Sequence, residues 1–453
     1  MSRGLLLLLA LPLGVIALAI GAHVAIASFR SPVSVILAIF AAIVPIGSLI
    51  VLPVPLPAPF NSASSLLGAL AVGALLVHVI GERVGGGSAA PLWVPSGVAW
   101  WVLFGVMAAL STLWSVNPEA TVDDLAILLS LLALYALSAF ALVGPDDLRR
   151  FEVAIAMGGA IASAYGIALL LTSRLPEFGG ETARFAAAGG ATGEAGPNET
   201  AAALLLPLAV ASSRAIDAHE PRRVAWIGVS GLIAVGIALT ASRGGLIALC
   251  LVLTLLALNA GRWSIVVAVG GAVVAALLLA PRFGAEGLQD RLFKETSSGR
   301  TLIWSTSLDA CDRYCVTGSG YGTFPDAYNE ALGVSPLITG DKLRQRAHNI
   351  WIRAAIETGI VGLVLLTGAL FVHLRDLVRS PRWRRGAALA GLSGVMASNL
   401  FLSNIGFKYF WLAMTHAMLT IAVWGRHRIS QPTPIDPRRA PRVGPPMRLE
   451  VPA

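Results

Sequence analysis

The chain of 453 residues is short of charge and nearly free of cysteine. Charged residues make up 13% of it, where a soluble domain carries about 25%. There are three cysteines, too few for a disulfide scaffold. Cys250 stands in an apolar stretch and reads as core packing. Cys311 and Cys315 lie four apart in a polar region. An oxidising compartment would let them pair, whereas that spacing on one helix strains a bridge, so both readings stand. There is no internal repeat, no phosphate-binding loop followed by lysine, no metal-ligand spacing and no identifiable acid pair. Nucleotide-dependent and metal-dependent chemistry therefore lose their usual signatures, and no cofactor is expected.

What is present is apolar. Hydrophobic residues are 56% of the chain, in runs near 4–27, 33–52, 64–81, 95–113, 121–143, 150–172, 198–213, 223–241, 244–260, 263–281, 350–374, 387–404 and 409–424. A spanning helix needs about 20 mostly apolar residues. The expected fold is thus an all-α polytopic membrane protein with about 12–13 transmembrane helices. The first run follows Met-Ser-Arg and resembles a signal peptide, but no secreted soluble body follows, so it reads as a first membrane helix.

The formal charge of +8 is a topology signal. Residues 372–386 hold five Arg against one Asp, and 425–453 hold six Arg against two acids. The positive-inside rule places both in the cytoplasm and 282–349 outside, where eight basic and eight acidic residues cancel. Nucleic acid is not an expected partner; the lipid bilayer is. Thirteen helices would leave Met1 outside together with Arg3, against the rule. The expected organisation is N-terminal transmembrane helices over 1–281, a large periplasmic loop over 282–349, C-terminal helices over 350–424 and a proline-rich, disordered basic cytoplasmic tail over 425–453.

Ionisable residues cluster at helix ends rather than midplane, unlike a proton-coupled transporter. Asp123 and Asp124 open one helix and Asn198-Glu199 another. Arg243 stands in a tight outer turn, Thr240-Ala-Ser-Arg-Gly-Gly, where the positive-inside rule would not place it. It reads either as a snorkelling interfacial arginine or as an anion clamp. Guanidinium offers planar, bidentate contacts to phosphate, and flanking glycines let backbone N–H groups approach the same anion. Arg300 follows Gly299 at the start of a helical stretch; alone it reads as a solvated charge. Of seven histidines, only His348 combines the outer face, flanking arginines and a following asparagine. A neutral imidazole there suits a general base; a buried structural histidine is the alternative. His23, His78, His373 and His416 read as packed or interfacial, and His219 and His427 lie on cytoplasmic links. The glycine-rich 318–324 segment reads as a turn that packs or shapes a cleft.

Together these pieces resemble the bacterial O-antigen ligase and O-antigen polymerase family over roughly residues 180–405. The resemblance is carried by SRGGLIAL at 242–249, GRTLIWSTSL at 299–308, GSGYGTF at 318–324 and AHNIWIRAAIETGIVGLVLL at 347–366. GPNETAAALLLPLA at 196–209 and WSVNPEA at 114–120 are weaker echoes. It implies a GT-C-like, metal-independent inner-membrane glycosyltransferase that takes a glycan from undecaprenyl diphosphate on the periplasmic side. A ligase passes it to lipid A-core, a polymerase to the next lipid-linked repeat, and a protein or exopolysaccharide acceptor is also open. The family's functional positions match Arg243, Arg300 and His348. Around them Arg346, Asn349, Tyr321, Trp304 and Asn198 are the expected substrate contacts, with Tyr321 and Trp304 stacking on sugar. A lipid-linked glycan flippase or other transporter is the rival of a different class. It would require cavity-lining charges and repeat symmetry, and neither is visible. A structural scaffold would leave Arg243 and His348 unexplained.

Overall fold

A computed structural model describes Val24 and residues 26–50, 62–84, 94–141, 143–178, 182–188, 195–283, 285, 287–293, 300–333 and 345–430. These residues are almost wholly helical. In chain order the helices are α1 (Ile36–Ile43), α2 (Ala63–Val84), α3 (Gly97–Leu110), α4 (Pro118–Phe140), α5 (Pro145–Leu171), α6 (Pro197–Asp217), α7 (Arg222–Leu239), α8 (Arg243–Ala260) and α9 (Ser264–Leu279). Then follow α10 (Gly287–Phe293), α11 (Arg300–Tyr314), α12 (Phe324–Ala331), α13 (Ile350–Arg379), α14 (Arg382–Ser398) and α15 (Lys408–Ser430). Among the described residues the one sheet ladder is a pair of two-residue strands, β1 (Glu177–Phe178) and β2 (Thr182–Ala183).

Nine of the described helices are long and apolar enough to cross a membrane: α2 to α9 and α13, with α3 and α9 lengthened by 3-10 turns to Trp114 and Phe283. The chain is a polytopic α-helical membrane protein. Of the other runs expected to span, 33–52 yields the short α1 with a 3-10 turn to Ile46. Residues 387–404 contribute to the 17-residue α14, and 409–424 to α15. Most of 4–27 and the tail beyond Ser430 lie outside the described residues.

α6 is the central post. Its run of Ala and Leu is buried on nearly every side, and it packs on α5, α7, α8 and α14. The small side chains let neighbouring backbones approach closely, the usual basis of helix association in lipid. Cys250 is exposed on α8, so the expectation of core packing is corrected: the buried face of α8 is made by Gly245, Ala248, Leu249, Val252, Leu253 and Leu256.

α13 is the element that organises the functional end. At 30 residues it is about 45 Å long, well beyond the roughly 30 Å hydrocarbon core. It breaks at Gly359, where φ is 66°. The glycine-rich segment closes on that break. Ser319 N–H donates to Ile356 O at 2.8 Å, Gly320 N–H to Glu357 O at 3.0 Å, and Ile360 N–H to Val316 O at 3.4 Å. Irregular backbone near a membrane is tolerated where protein supplies the missing partners, as here. Three glycines of the segment have positive φ, and a Cβ on Gly320 would stand 2.3 Å from Ser115 Oγ. α11 and α12 cover this region with a small core of their own, built on Ile303, Tyr314, Phe324, Tyr328 and Ile356. Cys311, in the last turn of α11, and Cys315, just past its end, form a disulfide, Cα atoms 4.6 Å apart.

Candidate functional site

His348 is held from both sides. Trp304 Nε1 donates to the preceding carbonyl of Ala347 at 3.1 Å. Asn349 caps α13, its Oδ1 accepting from Trp351 and Ile352 N–H at 2.9 and 3.0 Å. Its amide also donates to Leu400 O at 3.3 Å, and Ile350 N–H donates to Asn399 O. Between these anchors His348 takes φ +48°, a conformation uncommon outside glycine. The ring is half-buried. Burial, then the charges of Arg300 and Arg346, push its pKa from 6.5 down to about 4. Each cause disfavours the imidazolium, so His348 is neutral at physiological pH.

The arginines converge on the α14–α15 connection. Arg300, at the head of α11, lies over the ring of Phe401, Cζ 5.7 Å from the centroid. Phe401 also packs on the Arg243 turn: a Cβ at Gly244 would stand 3.1 Å from Phe401 Cδ2. Ser242 caps α8 by accepting from Gly245 N–H, which puts Arg243 in the first turn. Arg346 lies over Phe407 at 5.7 Å. Thus the three positions singled out in sequence share one wall. Gly244, next to Arg243, and Arg300 both pack on Phe401, and Arg300 and His348 are electrostatic neighbours.

A buried arginine not foreseen from sequence props this wall. Arg184 is 7% exposed. Its Nε donates to Thr240 O at 2.8 Å, in the turn before Arg243, and its guanidinium reaches Asn198 Oδ1 at 3.3 Å. Asn198 therefore stands at the site, engaged by Arg184. Glu199 lies near Tyr409, together with Arg346.

Tyr321 is placed differently. It is 1% exposed, its N–H bonded to Ser111 Oγ at 2.9 Å and its ring beneath Arg353. A ring packed on both faces has none to offer a sugar, so its expected stacking role is corrected. Trp304 is half-buried, with its indole N–H committed to Ala347.

The cluster above Tyr321 was also missed. Arg353 Nε bonds both carboxylate oxygens of Glu357, at 2.9 and 3.0 Å, and its terminal nitrogens reach Asp124 Oδ2 at 2.8 Å and Ser403 O at 3.3 Å. This ties α4, α13 and the α14–α15 connection together. The one sequence signal was an i,i+4 Arg–Glu pair early in an apolar run. A second buried group lies toward the opposite end: His416 Nε2 is 3.1 Å from Glu152 Oε1, and Arg214 pairs with the same carboxylate. His416 is packed, at 0% exposure, and the pairing gives it an acid partner that its apolar flanks in sequence do not show. Among the described residues no group of His, Cys, Asp and Glu could hold a metal ion.

The molecule is thus a multi-pass membrane protein with arginines gathered round a neutral histidine at one end. Residues 228–367 match the family model described as O-antigen ligase, a window that contains Arg243, Arg300 and His348. Over 113 residues the chain is 28% identical to the exopolysaccharide production protein ExoQ of Rhizobium meliloti (strain 1021), covering 24% of this chain and 26% of that relative. The match therefore spans about a quarter of the relative's length. These matches support a relationship to the O-antigen ligase and polymerase family over the matched segment.

Proposed function

We propose that the protein is an inner-membrane glycosyltransferase of the O-antigen ligase type. It moves a glycan from undecaprenyl diphosphate to an acceptor hydroxyl, on lipid A-core, at the periplasmic face. The observation that carries this reading is the placing of His348 beside Arg300 and Arg346, on the wall that Phe401 shares with the Arg243 turn.

In this mechanism Arg243 and Arg300 hold the diphosphate and offset the charge that develops on it. The acceptor oxygen attacks the anomeric carbon from the face opposite the leaving group. The carbon–oxygen bond to the diphosphate breaks, its electron pair leaves with undecaprenyl diphosphate, and the anomeric centre inverts. His348 takes the acceptor proton. Burial and then two guanidinium charges make the imidazole a weak base. A bound diphosphate neutralises them, so substrate binding itself raises the basicity of His348. Asn198, Asn349, Arg346 and Trp304 shape the surrounding surface, Trp304 and Asn349 chiefly by fixing His348. The reaction as drawn uses no metal.

The periplasmic placing of the site is supported by charge. The opposite end carries Arg214, Arg222, Arg223, Arg262, Arg379, Arg382 and Arg385, as the positive-inside rule prefers for cytoplasm. The Cys311–Cys315 disulfide suits an oxidising compartment.

Purified protein with a lipid-linked glycan and lipid A-core tests the proposal. Transfer is expected for the wild type and lost in Arg243→Ala, Arg300→Ala and His348→Ala; wild-type turnover in any of them would overturn the assignment. A second acceptor is favoured by the ExoQ match, growth of an exopolysaccharide. A polymerase would lengthen lipid-linked glycan with no lipid A-core present, and a ligase would not.

A further inference from the structure

A cavity of about 380 Å³ opens at the end of the molecule away from His348. Its polar lining comes from Ser213 and Asp217 in the last turn of α6, Asn259 at the end of α8, Arg262 just past it, and Arg382 at the head of α14. α14 packs on both α6 and α8, and its Gly386 completes the wall. Arg243 opens α8 and Asn259 nearly ends it, so the cavity lies about 24 Å along that helix from the arginine wall. The transfer step uses none of these residues. The size is that of a small-ligand pocket.

The bonds that fix the walls leave most of the lining charge unused. Asn259 Nδ2 donates to Arg382 O at 2.8 Å, and its Oδ1 accepts from Arg385 Nε at 3.2 Å. Arg262 Nη1 donates to Ile216 O, which leaves most of the guanidinium's donors open. Arg214, nearby, is taken by Glu152. Among the described residues the Ser213 hydroxyl, the Asp217 carboxylate and the Arg382 guanidinium make no hydrogen bond or ion pair. Asp217 feels the charges of Arg214, Arg262 and Arg384 without bonding to any of them.

The cavity stands at the depth of lipid headgroups. Trp263 follows Arg262 and is 52% exposed, and Val224 and Leu258 at the same end are 63% and 64% exposed. Exposed apolar side chains on spanning helices face acyl chains, and tryptophan marks the boundary between hydrocarbon and headgroup. What meets the cavity from the membrane is therefore a phospholipid headgroup. Guanidinium groups bind phosphate oxygens, and basic pockets between spanning helices hold lipid headgroups. Asp217 adds a requirement that a plain anion does not meet. Its ionised carboxylate only accepts hydrogen bonds, so it repels an anion that brings no donor. A phosphate ester that also carries a primary ammonium satisfies the arginines and Asp217 together. The methylated ammonium of choline has no N–H and offers Asp217 no hydrogen bond.

We propose that this cavity seats the headgroup of a phospholipid with a primary ammonium, its phosphate met by Arg262 and Arg382 and its ammonium by Asp217. Ser213 adds a hydroxyl to the same seat. The acyl chains lie along the exposed apolar side chains beside it, in the leaflet opposite the one that His348 faces. The site is separate from the diphosphate assigned to Arg243 and Arg300 and does not rest on the transferase reading.

The test uses the full chain in nanodiscs of equal parts phosphatidylethanolamine, phosphatidylcholine and phosphatidylglycerol, with retained lipid read by native mass spectrometry. Wild type should retain phosphatidylethanolamine about tenfold over phosphatidylcholine, the effect of one charge-assisted hydrogen bond. Asp217→Asn should bring the two level, and Asp217→Glu should keep most of the preference. Arg262→Gln combined with Arg382→Gln should lower retention of all three lipids. An unchanged unfolding midpoint shows that each variant is folded. Equal retention of phosphatidylethanolamine and phosphatidylcholine by wild type, a preference for phosphatidylglycerol over both, or an undiminished preference in Asp217→Asn overturns the site. Excess soluble phosphoethanolamine should leave the retained lipid in place. Complete displacement would make the cavity a site for a free phosphate ester and overturn the lipid assignment.

Discussion

His348 owes its chemistry to its neighbours. Its pKa of about 4 lies below the 6.5 of an unfolded chain, so between those values the unfolded state binds a proton that the folded state does not. Stability therefore falls as pH drops from 6.5 toward 4, and this group costs nothing above 6.5. Thermal unfolding of wild type against His348→Gln should show the gap between them changing only inside that window. Nuclear magnetic resonance of the imidazole should place its titration near 4, moving upward when undecaprenyl diphosphate binds; a fixed value would argue that the arginines do not meet the diphosphate. Arg353 belongs to the same scale but to a different economy. Nearly all its polar capacity is met inside the protein. Arg353→Met leaves Glu357, 2% exposed at its side chain, as a buried carboxylate without its partner. The expected loss is about 3–5 kcal/mol, read by unfolding in detergent. A loss below about 1 kcal/mol would show that water reaches the carboxylate.

At the scale of elements, the broken α13 and the glycine-rich segment form one joint. The segment supplies hydrogen-bond donors to carbonyls that the break releases, and its glycines allow the close approach. Gly320 has φ +111°, and a side chain there meets Ser115 as well as backbone strain. Gly320→Ala should cost about 1–3 kcal/mol. Gly73→Ala, in the middle of α2 with nothing within 4 Å of the added Cβ, should be neutral or slightly stabilising. Unfolding midpoints measured side by side check the contrast. Asn349→Ala should remove about 1 kcal/mol as a lost N-cap. Its larger effect should be on transfer, because the cap and the Leu400 contact fix the residue next to His348; transfer at the wild-type rate would show that His348 is placed without it.

At the scale of the whole molecule, two ends with different tasks follow from alternate helix direction. One end holds the Arg243 turn, α11 to α12 and the head of α13. The other holds the links rich in arginine. In a chain whose only cysteine is introduced, a membrane-impermeant maleimide applied to spheroplasts should label Leu308→Cys and leave Arg382→Cys unlabelled. The reverse pattern would turn the protein over and move the proposed chemistry to the cytoplasm. Leu308 is 69% exposed on α11, so access there reports side rather than burial.

Sequence by itself determined the class of fold, because apolar length and the scarcity of charge are properties of each segment alone. It also marked Arg243, Arg300, Arg346 and His348, since each breaks a local expectation: an arginine on the wrong side, or a histidine between arginines. Tertiary structure decided the rest. Only packing brought Gly244 and Arg300 against one phenylalanine and His348 beside Arg300, buried Tyr321 under Arg353, joined Glu152 to His416, and set Lys408 among three serines. Those partners lie tens to hundreds of residues apart. Hydropathy records how far each helix wishes to leave water; it carries no record of which polar side chains will meet once the helices have packed.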